Sequence, residues 1–402
     1  MITHDVEDIY ELSPLQQGML FHSLEAPETG VYLIRIVTTL DGALEIERFE
    51  TAWQQVVARQ PVLRTSFHWG TISKPVQVVH RKVSLTIARH DWRERSDAER
   101  TASLASYLAA DAATPMPLDR TPLTRLALMQ TAAQRWTMVW TFPHMLLEGW
   151  SASLVMADVF AVYHGLAAGR VPLAAPAPRY RDYIGWLQQQ DARAAEAHWR
   201  AALAGFAAPT PLSVDRLAAG DGAEAYGRGK IRLPAETTAA LQALGRDQRL
   251  TLSTIFQGAW ALLLARYSGE SDVVFGSVVS GREVDFAGVE SLVGLCVNTL
   301  PLRARLNQDE PAAAWLRGLQ SAHALTRQFE YCSLVDIQRW SEVPRGTRLF
   351  ESIFVFENWA AGLGAADAAA GHLRVVAAES VEGGSGSPLV VEVAPGRETS
   401  IG

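Results

Sequence analysis

FPHMLLEGWS, residues 142–151, is where an apolar run hands over to a turn. The run before it, RWTMVWTF (135–142), has the β-branched and aromatic content of a strand. After it, SASLVMADVFAVYHGLAAG (151–169) carries apolar residues at helical spacing. The order expected is therefore strand, turn, helix, with His144 at the strand end, Glu148 four residues on and Gly149 in the turn before the helix. Three readings of His144 compete: a satisfied core side chain, which is the usual fate of an isolated histidine, a metal ligand, or a base. A metal needs at least three ligands at coordinating spacing, and no second histidine stands nearby. A histidine at a strand end, followed by a glycine-containing turn and a new helix, stands beside backbone N–H donors at a cleft edge, which favours the base.

Working outward, the first half alternates strands and helices. SPLQQGMLFHSLE (13–25) opens with Ser13 as N-cap, Pro14 at the first helical position and Gln16 at the third. VYLIRIVTTLDG (31–42) reads as a strand stopped by Asp41-Gly42, and LEIERFETAWQQVVARQP (44–61) as a helix ended by Pro61. VLRTSFHW (62–69), KPVQVVHR (74–81) and VSLTIARHDW (83–92) read as strands, DAERTASLASYLAADAATP (97–115) as a helix, and LTRLALMQT (123–131) as a strand. Proline, alanine and glycine gather in AAGRVPLAAPAPRY, so the chain divides into 1–175 and 176–402. The second half expects one helix over YRDYIGWLQQQDARAAEAHWRAALAGF (180–206), a strand at GRGKIRLP, a helix at LSTIFQGAWALLLARYSG and strands at DVVFGSVVSG and VNTLPLRARL. A helix at PAAAWLRGLQSAHALTRQFEY and a strand at LFESIFVFEN complete it, while GGSGSPL (383–389) reads as a flexible loop. Mixed elements without strict βαβ alternation predict an α+β fold of two lobes.

Composition narrows the function. With 402 residues and 48% hydrophobic content, two cores can be filled. A net charge of −7 with no basic block argues against nucleic acid and anionic lipid. Two cysteines, Cys296 and Cys332, make no disulfide framework, and both lie in apolar surroundings without a charged activator. No G-x-S-x-G elbow or phosphate-cradling glycine loop stands out. Neither a membrane span of ~20 apolar residues nor a signal-peptide core is present, so a soluble cytoplasmic protein is expected.

Six segments in order, SPLQQGMLFH, VLRTSF, HMLLEGWS, YRDYIGW, VGLCVNTLPLR and LFESIFVFEN, resemble the condensation domains of nonribosomal peptide synthetases over essentially the whole chain. That resemblance implies two chloramphenicol-acetyltransferase-like lobes in a V-shaped pseudo-dimer with a central tunnel. Its activity would be acyl transfer from a carrier-bound or coenzyme A thioester to the amine of a carrier-bound aminoacyl acceptor. Ester formation with an alcohol acceptor, or a degenerate domain that only docks carriers or other enzymes, is the alternative. The partners implied are donor and acceptor carrier proteins. No cofactor of the chain's own is expected, because the phosphopantetheine arm belongs to the carrier. No metal is expected either. The family motif HHxxxDG falls on Pro143-His144-Met145-Leu146-Leu147-Glu148-Gly149, so His144 and Gly149 inherit the catalytic positions.

Two departures follow: Pro143 replaces the first histidine, and Glu148 the aspartate. In the family that carboxylate pairs with an arginine, and Arg64 of VLRTSF is the partner expected here. Trp150 and Ser151 are expected as packing anchor and helix cap. Two segments of the second lobe should cross to the first, one within SVVSGREVDFAGVESLVGLCVNTLP (277–301) and one after FVFEN. Ser280, Gly281, Asn298 and Asn358 are the candidates for lining that crossing and the tunnel. The chain also ends at Gly402, short of the family's last strand and helix, which is read as truncation.

Overall fold

The computed structural model describes residues 5–25, 32–70, 72–170, 176–212, 227–357, 373–382 and 386–402. It resolves into two compact units: Met1–Gln189 with Asp285–Cys296 and Trp359–Ser385, and Gln190–Val284 with Val297–Asn358 and Gly386–Gly402. Asn358 and the loop after FVFEN lie outside the described residues, as do residues 383–385 of the glycine-rich stretch.

In chain order the first unit holds β1 (Val6–Glu11), α1 (Pro14–Glu25), β2 (Leu33–Asp41), α2 (Ile46–Arg59), β3 (Thr65–His68), β4 (Val76–His80) and β5 (Ile87–Asp91). Then come α3 (Asp97–Ala113), β6 (Arg125–Ala132), β7 (Arg135–Pro143), α4 (Gly149–Ala167) and α5 (Tyr180–Leu187). The second unit holds α6 (Ala192–Ala202), β8 (Ile231–Arg232), α7 (Ala235–Gln248), α8 (Leu252–Ser268), β9 (Asp272–Val279), β10 (Asn298–Arg305), α9 (Ala312–Arg327), α10 (Leu334–Trp340) and β11 (Ser352–Phe356). Of the last strands, β12 (Arg374–Glu382) belongs to the first unit, and β13 (Leu389–Ala394) and β14 (Ser400–Ile401) to the second.

The first unit's main sheet has the order β12-β2-β7-β6-β5, and a smaller one the order β1-β4-β3. Its two faces are read from alternation along the strands. On one face Trp140 meets Trp53 of α2 at 5.1 Å between ring centroids, and Phe160 of α4 packs against Phe49. These rings are all buried, and each contributes about 1.5–3 kcal/mol by leaving water. The opposite face carries Val37, Ala127, Met129 and Val139 under Leu104, Tyr107 and Leu108 of α3. There Asp111 of α3 takes Arg35 at 3.1 Å, Arg125 at 2.8 Å and the Thr141 hydroxyl at 2.9 Å, so this buried carboxylate is fully engaged. The second unit's sheet runs β10-β9-β11-β13-β14-β8. Phe275, Leu302 and Phe354 on it pack with Phe256 and Leu264 of α8.

Several expectations change. The helix expected over 180–206 breaks into α5 and α6, because Asp191 accepts N–H bonds from Arg193 and Ala194 and starts a new helix. VLRTSF begins as a 3₁₀ turn over Pro61–Arg64, and GRGKIRLP keeps only two strand residues. The elements β1, α7, α10, β12, β13 and β14 add to those expected from the sequence. The first unit also runs on past the Pro/Ala stretch to Gln189, since Tyr180 and Tyr183 of α5 are buried. Residues 285–296, inside the first segment expected to cross, cluster with the first unit, and β12 pairs antiparallel with β2.

Within the second unit, a charged cluster lies where β9 ends and α9 turns into the next segment. Glu330 is 3% exposed, and neither of its carboxylate oxygens has a hydrogen-bond partner. Arg327 Nε is 4.0 Å from it, while the same guanidinium holds Glu283 at 2.5 Å. Burial pushes Glu330 up to about 7, against the pull of Arg327, with Glu283 adding to the rise. Burial, reinforced by Arg327, brings the nearby His323 down to about 4. Glu330's contribution to stability is thus full below about 4.5 and lost as pH rises through 7. His323 slopes the opposite way between 4 and 6.5, so the two offset each other in mild acid. Glu330→Gln is therefore expected to stabilise the chain at pH 8 by up to about 3 kcal/mol, and by progressively less towards pH 5. Urea denaturation at the two pH values checks this; an equal gain at both would mean that Glu330 does not titrate as the burial implies.

Candidate active site

The strand–turn–helix joint is present. β7 pairs with β2 from Asp41↔Arg135 to Leu33↔Pro143. Pro143 has no N–H, yet the ladder survives it, because the next N–H, that of His144, bonds Tyr32 O at 2.6 Å. Tyr32 itself sits at φ 65°, a left-handed conformation that a non-glycine residue adopts only under constraint. His144 is partly buried in the turn, between buried Pro143 and buried Met145, and Leu146 N closes the turn on Pro143 O at 2.8 Å.

Met145 O, one residue beyond the imidazole, receives Gln16 Nε2 at 2.9 Å. Gln16 is the third helical residue anticipated for the cap of α1. Ser13 N donates to its Oε1 at 2.9 Å, and its own N donates to Ser13 Oγ at 3.2 Å. Reaching the motif 129 residues away is its second task. Gln77 on β4 supports it, donating to Gln16 Oε1 at 2.9 Å and to Glu11 O at 3.1 Å.

Glu148 is not paired with Arg64, and that expectation is corrected. It is the N-cap of α4: Oε2 accepts from Trp150 N at 2.6 Å, and Oε1 from Ser151 N at 3.1 Å and Ser151 Oγ at 2.8 Å. A carboxylate there takes up otherwise unsatisfied N–H groups and faces the positive end of the helix. Gly149, as first residue of the helix, keeps its N–H outside this cap. Arg64 points elsewhere, to Glu7 at 2.6 Å, to Val57 O at 3.2 Å and to His80 O. Its place at the end of a 3₁₀ turn beside β4 directs it there.

Trp150 and Ser151 do more than pack and cap. Trp150, 45% exposed, donates its indole N–H to Glu290 O at 2.9 Å. Ser151 Oγ lies 2.7 Å from Gly294 O and accepts from Gly294 N at 3.0 Å. Its single proton has two acceptors within reach, Gly294 O and Glu148 Oε1. Tyr180 of α5 donates to Leu295 O at 2.6 Å, and a Cβ on Gly294 would come within 2.3 Å of the Tyr180 ring. Residues 285–296 are thereby docked on the start of α4, immediately after the His144 turn. The contacts of Tyr180 and Gln77 have no local signal in the sequence, and Gln16 has only its spacing from Ser13, which marks the cap and not the bond to Met145.

Ser280, Gly281 and Asn298 belong to the second unit. Ser280 Oγ accepts from Arg282 N at 3.3 Å and Gly281 adopts φ 63°, so the pair shapes the exit from β9. Asn298 Nδ2 donates to Glu330 O and Cys332 O, each at 2.7 Å, which makes it a staple inside the second unit. Burial pushes the Cys332 thiol up to about 12, unsuitable for a nucleophile. Among the described residues no group of three or more His, Cys, Asp or Glu is placed to hold a metal ion, and no helix is long and apolar enough to cross a membrane.

Comparison with known proteins gives one answer. Residues 6–380 match the family model described as Condensation domain. The chain is 44% identical over 398 residues to a linear gramicidin synthase protein of Brevibacillus parabrevis, covering 98% of this chain and 5% of that protein. It is 39% identical over 433 residues to a chondramide synthase of Chondromyces crocatus, covering 98% of this chain and 11% of the relative. The chain thus spans only a small part of such relatives. Among solved structures it resembles the starter condensation domain of rhizomide synthetase in complex with C8-CoA, at TM-score 0.81 and 23% identity, covering 98% of this chain and 88% of that one. The first condensation domain of the calcium-dependent antibiotic synthetase superposes at TM-score 0.80 and 20% identity, over 98% of this chain and 90% of that one.

Because Glu148 takes two N–H groups and a hydroxyl at the start of α4, Glu148→Ala should cost at least about 1–2 kcal/mol, the loss of a cap. Gly294→Ala should destabilise further, by driving a methyl into Tyr180. Urea midpoints of the two variants decide; a Glu148→Ala midpoint equal to that of the parent chain would mean that the cap adds nothing to stability.

Proposed function

The chain belongs to the condensation-domain family, and from that membership we propose that it transfers an acyl or peptidyl group from a thioester to the amine of an aminoacyl thioester, forming an amide. The observation that supports this best is the turn around His144: a partly buried imidazole held between a strand end and a helix N-terminus. In the reaction the amine nitrogen attacks the thioester carbonyl, the new C–N bond forms, and the C–S bond breaks to release a thiol. The nitrogen must lose a proton, and the carbonyl oxygen carries negative charge in between. An imidazole, with its ordinary pKa near 6.5, can accept or share that proton at neutral pH, and His144 is the group proposed to do so. Holding the amine in line is a second contribution, since a thioester is already activated. The N–H of Gly149, left outside the Glu148 cap, is the donor proposed for the oxyanion.

Pro143 and Glu148 do not argue against activity. The strand ladder continues past Pro143, and Glu148 satisfies the start of α4. Donor and acceptor are proposed to arrive on carrier proteins, each bringing its own phosphopantetheine arm, with coenzyme A as an alternative source of the donor. The setting proposed is the biosynthesis of a nonribosomal peptide, in the cytoplasm.

Incubation with a loaded donor carrier and a loaded acceptor carrier should yield an acceptor whose mass has grown by the acyl group. His144→Ala should lower that turnover by roughly 10²-fold or more, with an unchanged urea midpoint. Equal rates for the variant and the parent chain, or no product from any loaded pair, would favour a carrier-docking role.

A further inference from the structure

We propose that Gln16 is a positioning residue for His144, an inference that rests on the reading of His144 as the reacting imidazole. Gln16 lies in the first turn of α1 and is 1% exposed, and its amide bonds both the cap of its own helix and groups far along the chain. One N–H goes to Met145 O at 2.9 Å. Oε1 takes Ser13 N and Gln77 Nε2, each at 2.9 Å, and Gln77 is in turn tied to Glu11 O at 3.1 Å. Three pieces of chain, the start of α1, β4 and the motif turn, thus meet on one side-chain amide, and Gln77 joins β1 to them.

His144 stands on a short turn, so where its side chain leaves the main chain follows the φ and ψ of that turn. From one side the turn is fixed by His144 N on Tyr32 O at 2.6 Å. From the other, Gln16 fixes the carbonyl of the very next residue. A buried carbonyl without that donor would rotate to find another, and His144 would turn with it. Gln16 is the group suited to this: an amide can donate to Met145 O and accept from Ser13 N at once, which a carboxylate, hydroxyl or thioether cannot do in the same geometry.

The test is Gln16→Glu at pH 8. This keeps an oxygen for Ser13 N and Gln77 Nε2 and removes the N–H given to Met145 O. Gln16→Met, which removes all three bonds, is the second variant, and Ser13→Ala is the control, weakening the α1 cap without touching Met145. With histidine labelled in nitrogen-15, the imidazole signals of His144 are identified by their loss in His144→Ala. In Gln16→Glu they should move and titrate at a different midpoint, while those of His198 and His323 stay in place. Condensation between loaded carriers should slow roughly 10-fold or more at saturating substrate, as misplacing a reacting group by about 1 Å can cost 10²-fold, with KM little changed. Ser13→Ala should melt earlier yet leave both readouts alone. If the His144 signals are unmoved in folded Gln16→Glu and Gln16→Met, Gln16 does not position it. If they move while His144→Ala keeps full turnover, the positioning stands and the proposed role of His144 falls instead.

Discussion

A strand that must become a helix within five residues leaves the first N–H groups of that helix without partners inside it, and here the joint is buried. That constraint governs the structure around residues 143–151. Glu148 answers it by capping Trp150 and Ser151 with one carboxylate. Because the cap is supplied from within the turn, the Ser151 hydroxyl can also face outward, to the main chain of Gly294. The helix start is then both finished and occupied by a second segment, 285–296, whose path is fixed again at Glu290 and Leu295.

Pro143 and Glu148, the two departures from the motif expected, both fit the hydrogen bonding of this joint. Pro143 lacks the donor that a strand residue normally carries, but it is the last residue of β7, and the ladder resumes one residue later at His144. Glu148 is one methylene longer than aspartate and spends that length in reaching two successive N–H groups and a hydroxyl. Arg64, released from any duty towards it, ties α2 to β1 and β4 through Glu7, Val57 and His80.

How much of this could be read from the sequence depended on the distance over which each feature is specified. The β7–turn–α4 joint, the Ser13–Gln16 capping box and the helical runs of α2 and α3 are local, written in periodicity and cap residues within a few positions. That residues within 277–301 leave the second unit was expected from the family resemblance, and residues 285–296 cluster with the first unit. Gly294 has its reason in the structure: the Tyr180 ring fills the place of a side chain. What no local pattern encodes are partners far apart in the chain, such as Gln16 with Met145, Arg64 with Glu7, and β12 with β2. Short or half-exposed elements were also hidden, since β1 alternates only weakly and α7 has Gly245 within a faintly amphipathic stretch. Asp191 ends the helical reading of 180–206, but an aspartate inside a long helical pattern gives a cap signal only once the break is known.

Amide hydrogen exchange on Ser151→Ala tests most directly whether the motif helix and the docked segment form one mechanical piece. Removing the hydroxyl takes away the bonds to Gly294 and one of those to Glu148. The account predicts that residues 150–153 and 290–296 lose protection together, while the β2–β7 pairs keep theirs. Loss confined to the start of α4, with 290–296 as protected as before, would contradict it.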